Sequence, residues 1–160
     1  MKTTIPVTSG SYAVSADPSA TLVGVSIGAG IAVAVFDPET RTGGLFITHL
    51  IRTQKETSAS TVHYFGLDTG LPALMKAFMA AGGRRDSLRV HLVGAGEFLD
   101  APPFFRMGED LRKTARRVLE KNRVLVAGEK VGGPENRCLT LDVGDGSIRV
   151  ESPGQQEVIM

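Results

Sequence analysis

The chain has 160 residues, of which 42% are hydrophobic and 22% charged, a balance that suits one globular domain with a sizeable core. A net charge of +1 argues against nucleic acid or an anionic membrane surface as a partner, and the single cysteine, Cys138, excludes an internal disulfide and a multi-cysteine zinc site. No apolar run follows Lys2 as a secretory signal would require, so a reducing cytoplasm is the expected location.

The uncharged run from Pro18 to Phe36 is rich in Gly, Ser and Val rather than Leu, and Asp37-Pro38-Glu39-Thr40 breaks it. It reads as two strands buried on both faces, Val23–Ile27 and Ile31–Phe36, around a glycine turn, and not as a membrane insertion. Asp37 to Gly43 has the turn residues of a hairpin leading into a third strand, Gly44–Leu50, and the polar Arg52–Thr61 reads as an exposed loop. Leu71, Leu74, Phe78 and Ala81 predict a first long helix, with Asp68 and Thr69 as caps, Pro72 in its first turn and Gly82-Gly83 as its stop. Leu88–Val93 reads as a strand. Met107, Leu111, Ala115 and Val118 predict a second long amphipathic helix, with Glu109-Asp110 at its positive end and Arg112, Lys113, Arg116 and Arg117 on a solvated face. Strands follow at Val124–Ala127, Cys138–Val143 and Ser147–Val150, the last two joined by Gly144-Asp145-Gly146, and Gln155–Met160 reads as a frayed tail. The expectation is one mixed α/β domain over 1–160, with a core at about 10–150, a flexible tail from 152, and more strand than helix.

Two glycine stretches imitate a dinucleotide fingerprint, Gly28-Ala29-Gly30 and Gly94-Ala95-Gly96. The fingerprint needs a helix N-terminus directly after the glycines. A strand pattern follows the first and Pro102-Pro103 soon follows the second, so neither reads as a phosphate cradle, and no cofactor is implied. The three histidines, His49, His63 and His91, show no i, i+4 pair and no neighbouring carboxylate cluster, so no metal site is implied. Cys138 lies in a strand pattern and reads as structural.

An ordered series of motifs carries a resemblance. Asp68-Thr-Gly-Leu-Pro72-Ala-Leu74 is followed by Gly83-Arg-Arg85, Val93-Gly-Ala-Gly-Glu-Phe98, Met107-Gly108-Glu109, Gly128-Glu-Lys-Val-Gly-Gly133 with Arg137, and Asp142-Val-Gly-Asp-Gly-Ser-Ile-Arg-Val150. With Asp37-Pro38-Glu39 and Gly43-Gly44 in the first half, the series resembles the CheD family, the chemoreceptor glutamine deamidases of bacterial chemotaxis. The resemblance implies a layered α+β sandwich of mixed β-sheets with the two long helices packed outside. It also implies a cysteine nucleophile that attacks a receptor glutamine amide, a histidine base, and a threonine that orients the histidine. The implied partners are chemoreceptor cytoplasmic helices or the phosphatase CheC.

Anchored on Asp37-Pro38 and Gly43-Gly44, the family's cysteine position falls on Gly30, its threonine on Gly24 and its histidine on Ile47. None of these side chains can act as acid, base or nucleophile. The first expectation is therefore a catalytically inactive CheD-like protein that acts by binding a receptor or a CheC-like partner. The alternative is an active glutamine deamidase or amidase that uses Ser26 and His49, each two residues beyond a family position and so on the same strand face. No third residue is evident in the sequence to orient that imidazole.

Overall fold

The computed structural model describes residues 2–55, 63–97 and 107–159. In chain order the strands are β1 (Thr3–Val7), β2 (Ser11–Ser15), β3 (Ala20–Gly24), β4 (Ile31–Asp37), β5 (Thr42–Thr48), β6 (Gln54–Lys55) and β7 (His63–Tyr64). Helix α1 (Leu67–Ala80), β8 (Arg89–Gly94), α2 (Met107–Lys121), β9 (Val126–Val131), β10 (Cys138–Asp142), β11 (Ile148–Ser152) and β12 (Gln155–Val158) complete the chain. The strands form two five-stranded mixed sheets, β1-β3-β10-β11-β12 and β2-β5-β4-β8-β9, and a small β6-β7 pair.

The layers follow from the alternation along β4. Ala32, Ala34 and Phe36 face the first sheet and pack with Leu22, Leu139, Leu141, Ile148 and Val150, together with Leu45 and Ile47 of β5. Ile31, Val33 and Val35 face the other way and pack beneath Leu71, Leu74 and Phe78 of α1 and Leu111, Ala115 and Leu119 of α2. The result is helices, sheet, sheet: the expected layered α+β sandwich with both long helices outside. Each large side chain buried this way contributes about 1.5–3 kcal/mol. β4 is covered on both faces, as its unbroken apolar run predicts. β3 is not, because its sheet presents one face to solvent, and it alternates buried and half-buried residues.

The boundaries depart from the sequence reading in instructive places. β3 ends at Gly24 instead of continuing through Ile27, because Ser26 turns to φ +55° and leaves the ladder. α1 begins at Leu67 after Gly66, so Asp68 lies inside the first turn and is not the cap. Its Oδ1 instead accepts hydrogen bonds from Thr53 N and Thr53 Oγ1, 2.8 Å each, tying the preceding loop to the helix. Pro72 then sits within the helix rather than in its first turn. Gly82, at φ +109°, closes α1 as predicted: the N–H groups of Gly82 and Gly83 bond back to Met79 O and Phe78 O. β1, β2 and the edge strand β12 had no sequence signal. β12 pairs with β11 where a frayed tail is expected, through an all-exposed strand with no buried stripe to reveal it. Residues 56–61 of the expected loop lie outside the described residues.

A buried polar group anchors one turn. Asp37 ends β4, and its carboxylate accepts bonds from Glu39 N, Thr40 Oγ1, Arg84 N and Ser87 Oγ at 2.7–2.9 Å. Burial alone would raise its pKa; these four donors outweigh it and hold the carboxyl at about 2. On α2, Arg112 and Arg116 are not merely solvated: both bridge to Glu129 of β9, at 3.1 and 2.7 Å. Among the described residues no helix is long and apolar enough to cross a membrane.

Candidate functional site

A cleft of about 530 Å³ opens at the end of the sandwich where β3, β5 and β8 run out, and Ser26, His49, Glu97, Met107, Glu135 and Asn136 are among the residues that line it. Its floor is backbone. The two glycine turns that imitate a nucleotide fingerprint bond to each other: Ala95 N donates to Gly30 O at 2.6 Å and Gly96 N to Gly28 O at 2.9 Å. Gly132 N donates to Gly94 O, Glu97 N to Gly133 O, and Ile27 N to Arg137 O.

Arg137 holds this wall from inside. It is 4% exposed, and its guanidinium donates to Gly94 O at 3.1 Å, to Gly132 O at 2.6 Å and to Glu135 Oε2 at 3.2 Å. The motifs around Gly94 and Gly133 thus build a rigid rim, a role that spacing alone does not reveal. Two non-glycine residues of the site sit at left-handed backbone angles, Ser26 at φ +55° and Ala95 at φ +51°. Such conformations persist only where the surroundings enforce them.

The three positions aligned with the family's catalytic side chains divide into two groups. Gly24 and Ile47 are buried between the sheets and fill each other's space: a Cβ on Gly24 would collide with Ile47 Cδ1. Gly30 underlies the cleft. A Cβ placed there would stand 2.7 Å from both Cε1 and Nε2 of His49 and 2.8 Å from Cδ2, so the face of the imidazole covers the position.

The structure brings both candidate stand-ins, Ser26 and His49, to this one cleft. Ser26 arrives there through the turn and not through strand alternation. The structure also supplies an orienting group. His49 Nδ1 is hydrogen-bonded to Ser9 Oγ at 2.6 Å, and Ser9 Oγ to the Tyr64 hydroxyl, whose ring packs on Gly10. Among the described residues no hydrogen bond joins Ser26 to His49. Ser9 was invisible in the sequence, 40 residues from His49. A local signal for Ser26 is present, however: Gly24-Val25-Ser26-Ile27-Gly28 follows a strand and has the Gly-x-Ser-x-Gly form of a nucleophile turn, though no helix follows it.

The remaining candidates lie elsewhere. Cys138 is half-buried on β10 and does not line the cleft. His91 is 5% exposed on β8 with its Nδ1 unpartnered among the described residues; burial, and secondarily the Arg89 charge, push its pKa down. His63 contributes backbone to β7, and its side chain lies outside the described residues. Among the described residues no group of three His, Cys, Asp or Glu side chains is placed to hold a metal ion.

Comparison with known proteins decides the family. The model of CheD, chemotactic sensory transduction, matches residues 50–152. The chain belongs to the CheD family. It is 36% identical over 134 residues to a probable chemoreceptor glutamine deamidase CheD 1 of Syntrophus aciditrophicus, covering 83% of this chain and 84% of that one. It is 33% identical over 148 residues to a probable chemoreceptor glutamine deamidase CheD 2 of Anaeromyxobacter dehalogenans, covering 91% and 92%. A probable CheD of Solibacter usitatus is 27% identical over 144 residues, covering 89% and 85%. The CheD model match starts after Gly24, Gly30 and Ile47, the three positions at which the resemblance places the family's catalytic side chains.

Proposed function

We propose that this chain is a CheD-family protein that works in the cytoplasm by binding, through the cleft, a chemoreceptor helix or a CheC-like partner, without deamidating it. The observation that carries this reading is the mutual filling of the family's catalytic positions. Thioester formation needs a nucleophilic atom, and Gly30 has no side chain to provide one. The space above it holds the His49 ring, and the space at Gly24 holds Ile47. Removing one member of such a catalytic unit typically costs orders of magnitude in rate; here all three are substituted.

The test is incubation of the purified protein with chemoreceptor cytoplasmic fragments, reading ammonia release and glutamine-to-glutamate conversion by mass. No turnover is expected, while binding persists and is lost when a bulky group is introduced at the exposed rim residue Asn136, as in Asn136→Trp. Turnover matching an intact family member overturns the reading.

One observation favours a second reading: Ser26 and His49 share the cleft, and Ser9 holds the His49 ring through its Nδ1. On this reading the Ser26 hydroxyl attacks an amide carbonyl as its proton passes to His49 Nε2, the protonated imidazole delivers that proton to the departing ammonia, and water then cleaves the Ser26 ester to release the acid and restore the hydroxyl. A fluorophosphonate probe discriminates the two. Labelling at Ser26 that disappears in His49→Ala supports hydrolysis; absence of labelling leaves the binding reading standing.

A further inference from the structure

A second concavity, of about 160 Å³, lies on the helical face between α1 and α2. Leu71, Met75 and Met79 line it from α1, and Val118, Leu119 and Val124 from α2 and the turn after it. The space is well below the ~300–1,000 Å³ of small-molecule sites and matches the scale of an anchor pocket for a large apolar side chain. Met79 is 46% exposed, and Leu125, next to Val124, is 84% exposed, so the apolar surface continues outside the groove. Methionine suits a surface that adapts to a partner side chain.

The charges around this groove are one-sided. The acids that adjoin it in sequence already lie beside other cations: Asp86 is 4.0 Å from Arg84 and Glu120 is 3.9 Å from Arg116. Arg85 lines the groove, Lys76 follows Met75, and Lys121 and Arg123 flank the lining residue Asn122. All four are exposed, and none of the four makes an ion pair among the described residues. Among the described residues no acidic side chain lines the groove. An apolar floor inside a cationic rim is the complement of an amphipathic helix with an apolar stripe and acidic flanks.

We propose that this groove docks an acidic amphipathic helix of a protein partner, an apolar side chain entering between Met75, Met79 and Leu119 while carboxylates meet Arg85, Lys76, Lys121 and Arg123. The site is separate from the cleft. Met107 lines the cleft and Val118, Leu119 and Asn122 line the groove, so the two lie about 16–22 Å apart along α2 at 1.5 Å per residue. The inference therefore stands whether the cleft binds or hydrolyses.

The probe is a fluorescent synthetic peptide with leucines at i, i+3, i+4 and i+7 and glutamates on the remaining face, read by anisotropy against a control with lysines in place of the glutamates. The Glu peptide binds, the Lys peptide does not, and rising salt weakens the binding. Met79→Glu and the double variant Arg85→Glu/Lys121→Glu each weaken it at least about tenfold (~1.4 kcal/mol), whereas His49→Ala leaves it unchanged. These substitutions fall on solvent-facing side chains, and thermal melts verify that each variant folds. Equal binding of both peptides, absence of Glu-peptide binding, or insensitivity to the groove variants overturns the proposal. So does sensitivity to His49→Ala, which would put the peptide in the cleft, or sedimentation showing a self-associated form that Met79→Glu dissolves, which would make this face a contact between copies of the chain.

Discussion

If Gly24 and Ile47 have adapted to each other, their substitutions must be energetically coupled. Gly24 is in extended strand backbone, not at positive φ, so an alanine there meets no conformational strain; its only conflict is steric, with Ile47 Cδ1, while Leu45 Cδ2 stands at 3.6 Å. Ile47 is 1% exposed between two sheets, so its terminal methyl cannot swing into solvent. Gly24→Ala is therefore an overpacking change costing about 1–3 kcal/mol, partly offset by the ~0.5–1 kcal/mol that alanine regains over glycine in regular structure. Ile47→Val removes the colliding Cδ1 and costs about 0.5–1.5 kcal/mol through the void it leaves. In the double variant the new methyl occupies that void. The combined loss should fall about 1–2 kcal/mol short of the sum of the singles, well above the ~0.5 kcal/mol scatter of independent sites. Urea unfolding of the four proteins measures this, with thermal midpoints shifting about 2–4 °C per kcal/mol for a domain of this size. Losses that add within ~0.5 kcal/mol would refute the interlock.

His91 titrates in the unfolded chain near its ordinary value of 6.5 but lower in the fold, so the unfolded state takes up the proton first as pH falls. Stability is then fully retained above that value and declines as pH drops below it. Urea midpoints between pH 8 and 5 should show a slope that is reduced in His91→Phe, and an unchanged slope would contradict it. Asp37 has its carboxyl held at about 2 against an ordinary 3.8, so its stabilisation, on the order of 2 kcal/mol, is present above about pH 3.8 and lost toward pH 2. Asp37→Ala should cost at least about that much at neutral pH in the same unfolding assay. Arg137→Ala strands the Gly132 carbonyl and leaves Gly94 O with only its bond from Gly132 N, and should cost about 2–4 kcal/mol while hydrogen exchange speeds at Gly94–Glu97 and Gly132–Arg137 before it speeds in β4.

The sequence made the layers legible because their cause is local and periodic: the unbroken apolar run of β4 and the i, i+4 stripes of α1 and α2 each demand burial of a particular shape. The family was legible for a different reason: Gly94 and Gly96 are positions where backbone must approach backbone, Gly83 backs onto the Phe78 ring, Gly133 turns at φ +74°, and Arg137 ties the carbonyls of Gly94 and Gly132. What could not be read was set by contacts between distant segments or by a single torsion. Val23 to Ile27 is apolar enough for one continuous strand, and only the positive φ of Ser26 ends it at Gly24. Asp68 looks like a cap by composition, yet Thr53, 15 residues earlier, claims its carboxylate. β1 contains Pro6, which a central strand would not tolerate, but β1 lies at the edge of its sheet, where a missing N–H costs little. The orienting group for His49 comes from Ser9, in a short connection between two half-exposed strands where one serine looks like any other.

The same packing predicts how hard the family's chemistry would be to restore. Gly30→Cys alone places a Cβ 2.7 Å from the His49 ring, so the ring must leave its seat and its Ser9 bond before a thiol fits. Gly24→Thr alone drives a larger side chain into Ile47, and Ile47→His alone puts a polar ring into the apolar space between the sheets with no threonine to receive its N–H, at about 1–3 kcal/mol for the unsatisfied group. Each single substitution is expected to destabilise the present packing, so on the binding reading proposed above none of them alone confers activity. The quadruple variant Gly24→Thr/Gly30→Cys/Ile47→His/His49→Ala relieves all of these conflicts together, and only it should release ammonia from chemoreceptor fragments. Ammonia release by Gly30→Cys alone would mean that His49 does not block the nucleophile's place, and that the inherited site is open, lacking only its sulfur.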